Sequence, residues 1–413
     1  MIVADDLSGA ADTAVAFARD GRRPVVRWRT AHAWLESSDP PEVLALDTET
    51  RSGSAQSAAE ATTLAVGAAR RLDAGILFKK IDSTLRGHVG SEVAAALDAW
   101  GTPAMAVVAP AFPEVGRTTR LGCQLVNGTP LPASAIAPRL DAAGLRTQLI
   151  DLSEVRSEGL AECLVAHSRA GVRAVVCDAD CPDDLVRIAR AALSRGREIV
   201  WVGSGGLARA LAAEQVRDTA APEAGRLSAA LSAAGRPVLI VVGSATTTAR
   251  QQAQCLADAG ATRIAVPLSA LREAGPDGRD SEILAVLCDR LAEGTDVVVT
   301  IEAGTDSSGD PRIVDALAAW LRPVAALVGG VVVTGGETAV HLFDAWGITG
   351  LEVIGEIEPG VPRALSLGRV EMPVVTKAGG FGDAATLERA RRALHEQAVL
   401  SRPKESEGVW PVR

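Results

Sequence analysis

The chain has 413 residues, of which 47% are apolar, and a formal net charge of −9. This length exceeds what one hydrophobic core usually supports, so two domains are expected. The acidic balance argues against a general nucleic-acid binder, which needs a basic face, and no run of about eighteen apolar residues is present to span a membrane. Six cysteines without a CxxC pair, and the lack of a secretory segment, predict a reducing cytoplasm.

Short runs of Val, Ile and Leu alternate with longer Ala-rich amphipathic segments, a pattern typical of repeated β-α units around parallel sheets. In the first half the pattern predicts strands at 2–4, 25–27, 43–46, 76–78, 105–108, 174–177 and 199–202. It predicts helices there at 9–19, 55–72, 89–100, 160–169, 183–194 and 207–214.

A second set of elements follows an Ala/Pro/Gly-rich stretch. Its predicted strands are 238–242, 263–266, 297–300, 331–334, 352–354 and 373–376, and its helices are 246–259, 282–293, 312–321, 337–346 and 383–400. The expected organisation is a first domain at 1–217, a linker at 218–236, a second domain at 237–400 and a polar tail at 401–413. The predicted fold class is therefore α/β, with two domains, largely parallel sheets and an active-site cleft between the domains.

The loops that follow the strands of the first half are charged. They are Asp5-Asp6, the segments 47–51 and 178–180, and the segment from Lys79 to Gly90, whose first eight residues contain three cations, a carboxylate and two hydroxyls. Ligands of open α/β sheets bind beyond the carboxyl ends of the strands, so these loops suit an anionic, hydroxylated ligand.

Each charged loop also has a structural alternative. Asp5 and Asp6 could decorate a helix terminus capped by Ser8, and segments 47–51 and 178–180 could be caps or solvated turns. His88 is more often a loop histidine than an acid or base. A metal loop at 177–181 matches no zinc spacing.

The corresponding loops of the second half are rich in glycine and hydroxyl groups. They are the segments 243–248, 303–305, 334–338 and 377–383. Glycines let backbone N–H groups approach an anion at the positive end of a helix, which suits a polyphosphate. No GxxxxGK[ST] motif and no protein-kinase signature is present, so the predicted nucleotide site is not a P-loop.

A Gly203-Ser204-Gly205-Gly206-Leu207-Ala208 run after a predicted strand fits the pattern G-x-G-x-x-A. It leaves open an NAD(P)-dependent hydroxy-acid dehydrogenase as the alternative enzyme, although Glu223, where a ribose-binding acid is expected, falls in the linker. A two-lobed sugar-acid sensor is the non-enzymatic alternative.

Several motifs in order make the chain resemble the four-carbon acid-sugar kinases, which use ATP to phosphorylate threonate, erythronate or 3-oxotetronate at the terminal hydroxyl. The matching segments are 4–10, 79–90, 108–113, 116–119, 126–128, 202–208, 243–244, 334–338, 360–362 and 377–382. Ser8 replaces the usual threonine but keeps the hydroxyl. The first strand is short for this family, so we expect further residues upstream of Met1.

The resemblance implies which residues contact each ligand. The substrate contacts would be Asp5, Asp6, Lys80, Asp82, Ser83 and Arg86, and the ATP contacts Ser244, Gly335, Gly336, Glu337, Thr338, Gly379 and Gly380.

In the predicted mechanism Lys80 and Arg86 neutralise the substrate carboxylate or the migrating phosphoryl group. Asp5, Asp6 or Asp82 takes the proton of the terminal hydroxyl, and the catalytic set is thus Asp5, Asp6, Asp82 and Arg86. A Mg²⁺ bridging the phosphates is expected, reached by Glu337 through water and with no residue assigned as a direct ligand. The partners are the sugar acid and ATP, without nucleic acid or membrane, and a homodimer is compatible with this organisation.

Overall fold

The computed structural model describes residues 1–18, 22–28, 41–101, 103–215, 235–243, 246–273, 282–302 and 311–400, apart from the side chains of 311 and 397–400. The strands are β1 Ile2–Ala4, β2 Pro24–Trp28, β3 Val43–Asp47, β4 Leu77–Lys80, β5 Met105–Ala109, β6 Arg117–Arg120, β7 Cys123–Val126, β8 Thr129–Ala135, β9 Thr147–Ile150, β10 Ala174–Cys177, β11 Ile199–Gly203, β12 Val238–Val242, β13 Thr262–Val266, β14 Val297–Ile301, β15 Gly330–Thr334, β16 Ile348–Glu358, β17 Val361–Gly368 and β18 Pro373–Lys377.

The helices of the first half are Leu7–Ala18, Ala55–Arg71, Val89–Trp100, Ala137–Asp141, Leu152–Val155, Leu160–Arg169, Pro182–Leu193 and Gly205–Glu214. Those of the second half are Thr247–Asp258, Leu268–Glu273, Glu282–Ala292, Pro311–Trp320, Gly336–Trp346 and Thr386–Leu400. In the described parts of the chain, no helix has both the length and the apolar character needed to cross a membrane.

The main sheet runs through both halves of the molecule in the order β13-β14-β12-β15-β18-β17-β16-β2-β3-β1-β4-β11-β5-β10-β9. The strands from β2 to β9 in this order are parallel, as are those from β13 to β18. The antiparallel hairpin of β16 and β17 lies between them, and β16 pairs with β2 through Leu351↔Val26 and Glu352↔Val25. This mostly parallel α/β architecture confirms the predicted fold class and joins the two predicted sheets into one.

Continuous apolar runs form the central strands because helices cover both faces of the sheet. Every residue of β12, Val-Leu-Ile-Val-Val, is buried. On one face the core is continuous across both halves. There the Trp28 ring lies 5.8 Å from the Phe343 ring, and Trp28 Nε1 donates a hydrogen bond of 2.7 Å to Asp344 Oδ1.

Several predicted boundaries were wrong. The strand predicted at 76–78 is Leu77–Lys80, and the one predicted at 352–354 is the eleven-residue β16, whose partner β17 was not predicted. The helices predicted at 9–19 and 383–400 begin at Leu7 and Thr386.

A small antiparallel sheet, β6-β7-β8, also went unpredicted. Its strands are short and mostly exposed or half-buried, as in the Thr-Pro-Leu-Pro-Ala-Ser-Ala sequence of β8. They contain no long Val/Ile/Leu run that periodicity can detect. β9 was missed as well, and two of its four residues are exposed.

Most of the predicted linker at 218–236, the whole predicted tail at 401–413 and the segment 303–305 lie outside the described residues, as do Glu223 and Ser244.

Candidate active site

Three neighbouring strands of the first half deliver charged residues to the same edge of the sheet. β3, β1 and β4 are adjacent, and their carboxyl ends lead into Asp47 to Arg51, Asp5-Asp6 and Lys80 to Arg86. The carboxyl edge of parallel strands is where such sheets bind ligands. The structure thus brings the predicted substrate loops into one cluster.

Arg51 is the centre of this cluster. Its Nε and Nη2 donate to the two carboxylate oxygens of Asp5, each at 2.7 Å, and its Nη1 lies 2.7 Å from Asp6 Oδ2. Asp82 Oδ1 is 3.7 Å from the same guanidinium. One arginine therefore joins three of the predicted acidic residues. The sequence analysis had included Arg51 only within segment 47–51, which could also have been a cap or a solvated turn. The adjacency of β3 and β1, which gives Arg51 its partners, cannot be seen in the sequence.

Asp82 organises the turn that follows β4. It accepts hydrogen bonds from the Thr84 N–H at 3.1 Å, from the Thr84 hydroxyl, and from Nε and Nη2 of Arg86 at 2.9 and 2.8 Å. The small sheet supports the same turn, because the buried Gln124 donates to the Ser83 carbonyl at 2.8 Å. The conformation of the turn is therefore fixed both by its own hydrogen bonds and by the contact from the small sheet.

Lys79 and Lys80 point to opposite faces of β4, as successive strand residues do. Lys79 was wrongly assigned to the loop: its ammonium is buried, 3.5 Å from Glu92 Oε2, and donates to the Lys80 carbonyl at 3.1 Å. Lys80 faces the cleft and is 4% exposed. Among the described residues its ammonium has no hydrogen-bond or ion-pair partner, which leaves it available for an anion.

The three acidic residues differ in protonation behaviour. Burial works to raise the pKa of all three, but in Asp5 the charge and hydrogen bonds of Arg51, with Lys79 and Lys80, outweigh it and lower the pKa. The hydrogen bonds and charge of Arg86, together with Arg51 and Lys80, likewise hold the pKa of Asp82 well below its usual range. The pKa of Asp6 is raised, because burial and the neighbouring Asp5 and Asp82 outweigh Arg51 and Lys80.

Residues of both halves line one cleft. The first half contributes Asp6, Ser8, Gly9, Asp12, Arg51, Lys80, Asp82, Ser83, Arg86, Phe112 and Ser204, and the second half contributes Gly360, Ala378 and Phe381. Asp5 lies behind Arg51 instead of on the cleft wall, with its side chain 1% exposed.

The predicted nucleotide loops approach this cleft from the second half. Gly336 opens the helix Gly336–Trp346, and a Cβ there would lie 3.0 Å from Asp6 Oδ2 and 3.2 Å from the Ser8 nitrogen. Gly335 has φ +96°, a conformation that favours glycine. Thr338 is buried against Gly243, whereas the Glu337 side chain is exposed.

The side chain of Lys377 stabilises the loop that contains Gly379 and Gly380. The sequence analysis had not named Lys377 as a site residue. The buried Lys377 ammonium donates to the carbonyls of Ala378, Gly379 and Phe381 at 2.9, 3.3 and 3.0 Å. Burial lowers the pKa of Lys377 to about 8. The loop is therefore fixed through its carbonyls beside the first-half residues of the cleft.

Two buried polar groups of the cleft were missed by the sequence analysis as site residues. Asp12 Oδ1 and Ser8 Oγ both lack a hydrogen-bond partner, and both residues line the cleft. The four-residue spacing on one helix was the available signal, because residues four apart share a helix face. It was lost when the helix was predicted to begin after Ser8.

Other candidate residues have structural partners. Asp47 Oδ1 accepts from the Glu49 N–H at 2.8 Å, and Asp178 accepts from the backbone of Leu121 and Gly122 at 2.7 and 2.9 Å. His88 Nε2 lies 2.7 Å from the Gly53 carbonyl.

The glycine run beginning at Gly203 serves close packing. A Cβ at Gly203 would lie 2.6 Å from the Ala109 carbonyl, and one at Gly205 would lie 2.7 Å from Phe112. These contacts give the glycines a packing role, and the run gives no support to the dehydrogenase alternative.

The fold and the cleft define a two-lobed α/β enzyme in which a charged pocket faces glycine-containing loops. Residues 1–211 match a family model described as a sugar-binding N-terminal domain, and residues 239–387 match one described as a nucleotide-binding C-terminal domain.

The chain is similar over nearly its whole length to several named kinases. It is 40% identical to a D-threonate kinase of Cupriavidus necator, over 97% of this chain and 99% of that protein. It is 31% identical to a D-erythronate kinase of Heliobacterium modesticaldum (93% and 95%) and 32% identical to a 3-oxo-tetronate kinase of Methylobacterium radiotolerans (94% and 97%). The chain belongs to the four-carbon acid-sugar kinase family and is a phosphotransferase.

Solved structures share the fold. A Salmonella typhimurium LT2 protein superposes with a TM-score of 0.74 at 22% identity, covering 95% of this chain and 98% of that one. A Haemophilus influenzae protein gives a TM-score of 0.69 at 20% identity, covering 95% and 99%.

Proposed function

We propose that this kinase transfers the γ-phosphoryl group of ATP to the terminal C4 hydroxyl of a four-carbon sugar acid, with D-threonate as the first substrate to test. The observation that carries the proposal is the contact between the two halves at Asp6. A carboxylate with a raised pKa lies beside an unpaired lysine in the first half and against the opening turn of helix Gly336–Trp346 in the second. This pairs a proton acceptor with a helix N-terminus that suits phosphate.

In this proposal each half binds one ligand. Residues 1–217 hold the acid, and residues 237–400 hold ATP at Gly335, Gly336, Thr338 and the Gly379-Gly380 loop. The family models for a sugar-binding and a nucleotide-binding domain support this division. Glu337 and Ser244 are retained as nucleotide contacts from the sequence analysis, Ser244 without a described position.

Lys80 is the proposed anion-binding residue for the substrate carboxylate or the transferred group. The two arginines of the cluster already carry carboxylate partners, because Arg51 pairs with Asp5 and Arg86 with Asp82. Lys80 instead presents an unpaired ammonium to the cleft. Arg86 and Ser83 would add donors from the same wall, since the Arg86 side chain is 59% exposed and Ser83 lines the pocket.

Asp6 is the proposed base among the three acids named from the sequence. Asp5 and Asp82, whose pKa values are lowered by their arginines, would act by holding Arg51 and Arg86 in place. In the reaction the C4 oxygen forms a bond to the γ-phosphorus, the bond to the ADP oxygen breaks, and the hydroxyl proton passes to Asp6. Phosphoryl transfer depends mainly on placement and charge compensation, so a moderate base suffices.

The proposal includes a Mg²⁺ that the triphosphate would bring, with no side chain of this chain assigned as a direct ligand. Among the described residues the one group of three metal-ligating side chains is Asp180, Cys181 and Asp184, and its two carboxylates already pair with Arg156. Glu337, in the first turn of helix Gly336–Trp346, has an exposed side chain and would reach the ion through water. Bound there, Mg²⁺ would neutralise phosphate charge.

The test is a coupled ADP-release assay with D-threonate, D-erythronate and 3-oxotetronate, with phosphorus NMR of the product to locate the phosphate. We expect ATP-dependent phosphorylation at C4 of at least one acid. Reduction of NAD(P)⁺ by these acids in the absence of ATP would support the dehydrogenase alternative instead. ADP release without a phosphorylated four-carbon product would contradict the proposal.

A further inference from the structure

One wall of the cleft carries a carboxylate that the proposed mechanism does not use. Asp12 lies on helix Leu7–Ala18, is 6% exposed and has a buried Oδ1 without a hydrogen-bond partner. One turn earlier on the same face, Ser8 is 5% exposed and its Oγ also lacks a partner. Both line the cleft. Unpaired buried polar groups are rare in proteins and call for an explanation, and a ligand is the direct one.

The surroundings of Asp12 leave its carboxylate without a cation of its own. The charged groups around it are Lys80 of β4, Asp6 of the first loop, Arg209 of helix Gly205–Glu214 and Glu356 of β16. Arg209 is already engaged, because it forms a bidentate ion pair with Glu356 and stacks 5.3 Å from the centre of the Phe112 ring. Lys80 is the cation assigned above to the anionic part of the substrate.

Helix Gly205–Glu214 packs closely against Asp12 on one side. A Cβ at Gly205 would lie 2.8 Å from Asp12 Oδ2, so glycine is needed there for the Asp12 side chain to keep its position on the cleft wall. Asp12 lies about 6 Å further along the helix axis than Ser8, given the rise of an α-helix. Asp6 precedes the helix, so Ser8 and Asp12 extend the polar lining of the cleft from Asp6 along the helix.

We propose that Asp12, assisted by Ser8, binds the secondary hydroxyls of the substrate and makes the enzyme prefer hydroxy acids to the 3-keto acid. The inference rests on the function proposed above, in which Asp6 contacts the terminal hydroxyl. An ionised carboxylate only accepts hydrogen bonds, so it pairs with a hydroxyl at C3 but meets a ketone oxygen as a second acceptor. Sites built to bind a hydroxyl reject analogues that lack it.

The same geometry predicts that the preference depends on pH. Burial raises the pKa of Asp12 to about 6. The positive charges of Lys80 and Arg209 oppose this rise, and the negative charges of Glu356 and Asp6 add to it. Above that pH the carboxylate accepts from a hydroxyl, and below it the protonated form can donate to a ketone. Asp6 would act on the terminal hydroxyl of both substrate types, so its titration should change kcat/KM for both equally and cancel in the ratio of the two kcat/KM values.

The experiment compares the wild-type protein with Asp12→Asn in kcat/KM for D-threonate, D-erythronate and freshly prepared 3-oxotetronate, and in binding of the same acids by titration calorimetry. The amide of asparagine keeps the shape and can donate to a ketone. We expect the ratio of hydroxy-acid to keto-acid kcat/KM to fall about ten- to a hundredfold in Asp12→Asn, as loss of a hydrogen bond to a charged group predicts. Lowering the pH from 8 to 5 should lower the same ratio in the wild type but not in Asp12→Asn.

Two further variants separate a substrate contact from a structural effect. Thr13→Val removes the hydroxyl of the next residue, which is buried and does not line the cleft, and should leave the ratio unchanged. Ser8→Ala should weaken binding of the hydroxy acids about two- to tenfold.

The outcomes distinguish this inference from the proposed function. An equal loss for all acids in Asp12→Asn, or an unchanged ratio, would overturn the role of Asp12 while kinase activity of the wild type stands. If the wild type binds these acids with an Asp12-dependent preference but phosphorylates none of them, the inference stands and the proposed reaction falls. If the wild type neither binds nor phosphorylates them, both are overturned.

Discussion

The two adjacent lysines of β4 offer the sharpest test of the site. Lys80→Met removes the ammonium in the cleft and keeps the long unbranched stem, and Lys79→Met does the same on the opposite face of the strand. Lys79 is fully buried with Glu92, whose side chain is 2% exposed, whereas Lys80 has no ion-pair partner among the described residues. The two substitutions are chemically identical and one residue apart.

For Lys80→Met we expect a loss of catalysis. A charge-assisted contact to an anion contributes about 1.5–3 kcal/mol, which corresponds to a decrease of about ten- to a hundredfold in kcat/KM for the acid. The positive charge of Lys80 lowers the pKa values of Asp5, Asp6 and Asp82, so these pKa values should rise in the variant. The pH dependence of kcat should therefore shift to higher pH, which gives a second readout.

For Lys79→Met we expect a loss of stability. The variant leaves the Glu92 carboxylate buried and without its cation, with a 3.1 Å hydrogen bond from the Thr50 hydroxyl. Breaking a buried pair by removing one partner costs about 3–5 kcal/mol. The double variant Lys79→Met/Glu92→Gln should recover part of that loss, because no charge is then left unpaired.

The assays are urea unfolding and steady-state kinetics with the acid and ATP varied separately. The reasoning is refuted if Lys80→Met keeps kcat/KM for the acid within about twofold of wild type, a change of less than about 0.5 kcal/mol. It is equally refuted if Lys79→Met, while folded, loses more activity than Lys80→Met.

Three further predictions follow from the cleft. Asp6→Asn should lower kcat by about 10²–10⁴ and leave ATP affinity unchanged. Because the pKa of Asp6 is raised, kcat of the wild type should fall as the pH is lowered, and the variant should lack this decrease. A pH profile that is the same in both proteins would contradict the assignment of Asp6 as the base. Gly336→Val should raise KM for both substrates, since a Cβ there would lie 3.0 Å from Asp6 Oδ2 as well as within the nucleotide turn; an effect on ATP alone, in kinetics with each substrate varied, would speak against the interdomain contact. Asp12→Asn should raise the free energy of unfolding by about 1–3 kcal/mol at pH 8, because a pKa raised from 3.8 to about 6 means that folding disfavours the ionised form. This increase, measured by urea unfolding, should become smaller as the pH falls towards 4.

Much of this architecture could be predicted from local sequence patterns. Apolar runs such as Val238–Val242 located most of the buried strands, since helices on both sheet faces leave such strands without a polar side. Chain position then placed Asp6 and Lys80 after strands of the first half and Gly336 after a strand of the second. The carboxyl-edge rule was enough to predict that they meet at a cleft.

The remaining features depend on contacts between residues far apart in the chain. The role of Arg51 follows from β3 lying beside β1, and the burial of Lys79 follows from the position of Glu92 on the next helix. Neither is encoded in local periodicity. The pairing of β16 with β2 joins residues more than three hundred positions apart, and no local pattern in either strand indicates its partner.

That pairing has a consequence for the integrity of the molecule. β2 ends the parallel block of the first half and β16 ends the strands of the second, so each covers the other's row of unpaired N–H and C=O groups. A fragment ending after residue 215 would expose the free side of β2, and one beginning at residue 235 would expose that of β16. Open strand edges are templates for aggregation. Each half thus covers a strand edge of the other, and a chain that contains both halves should not associate through these two edges.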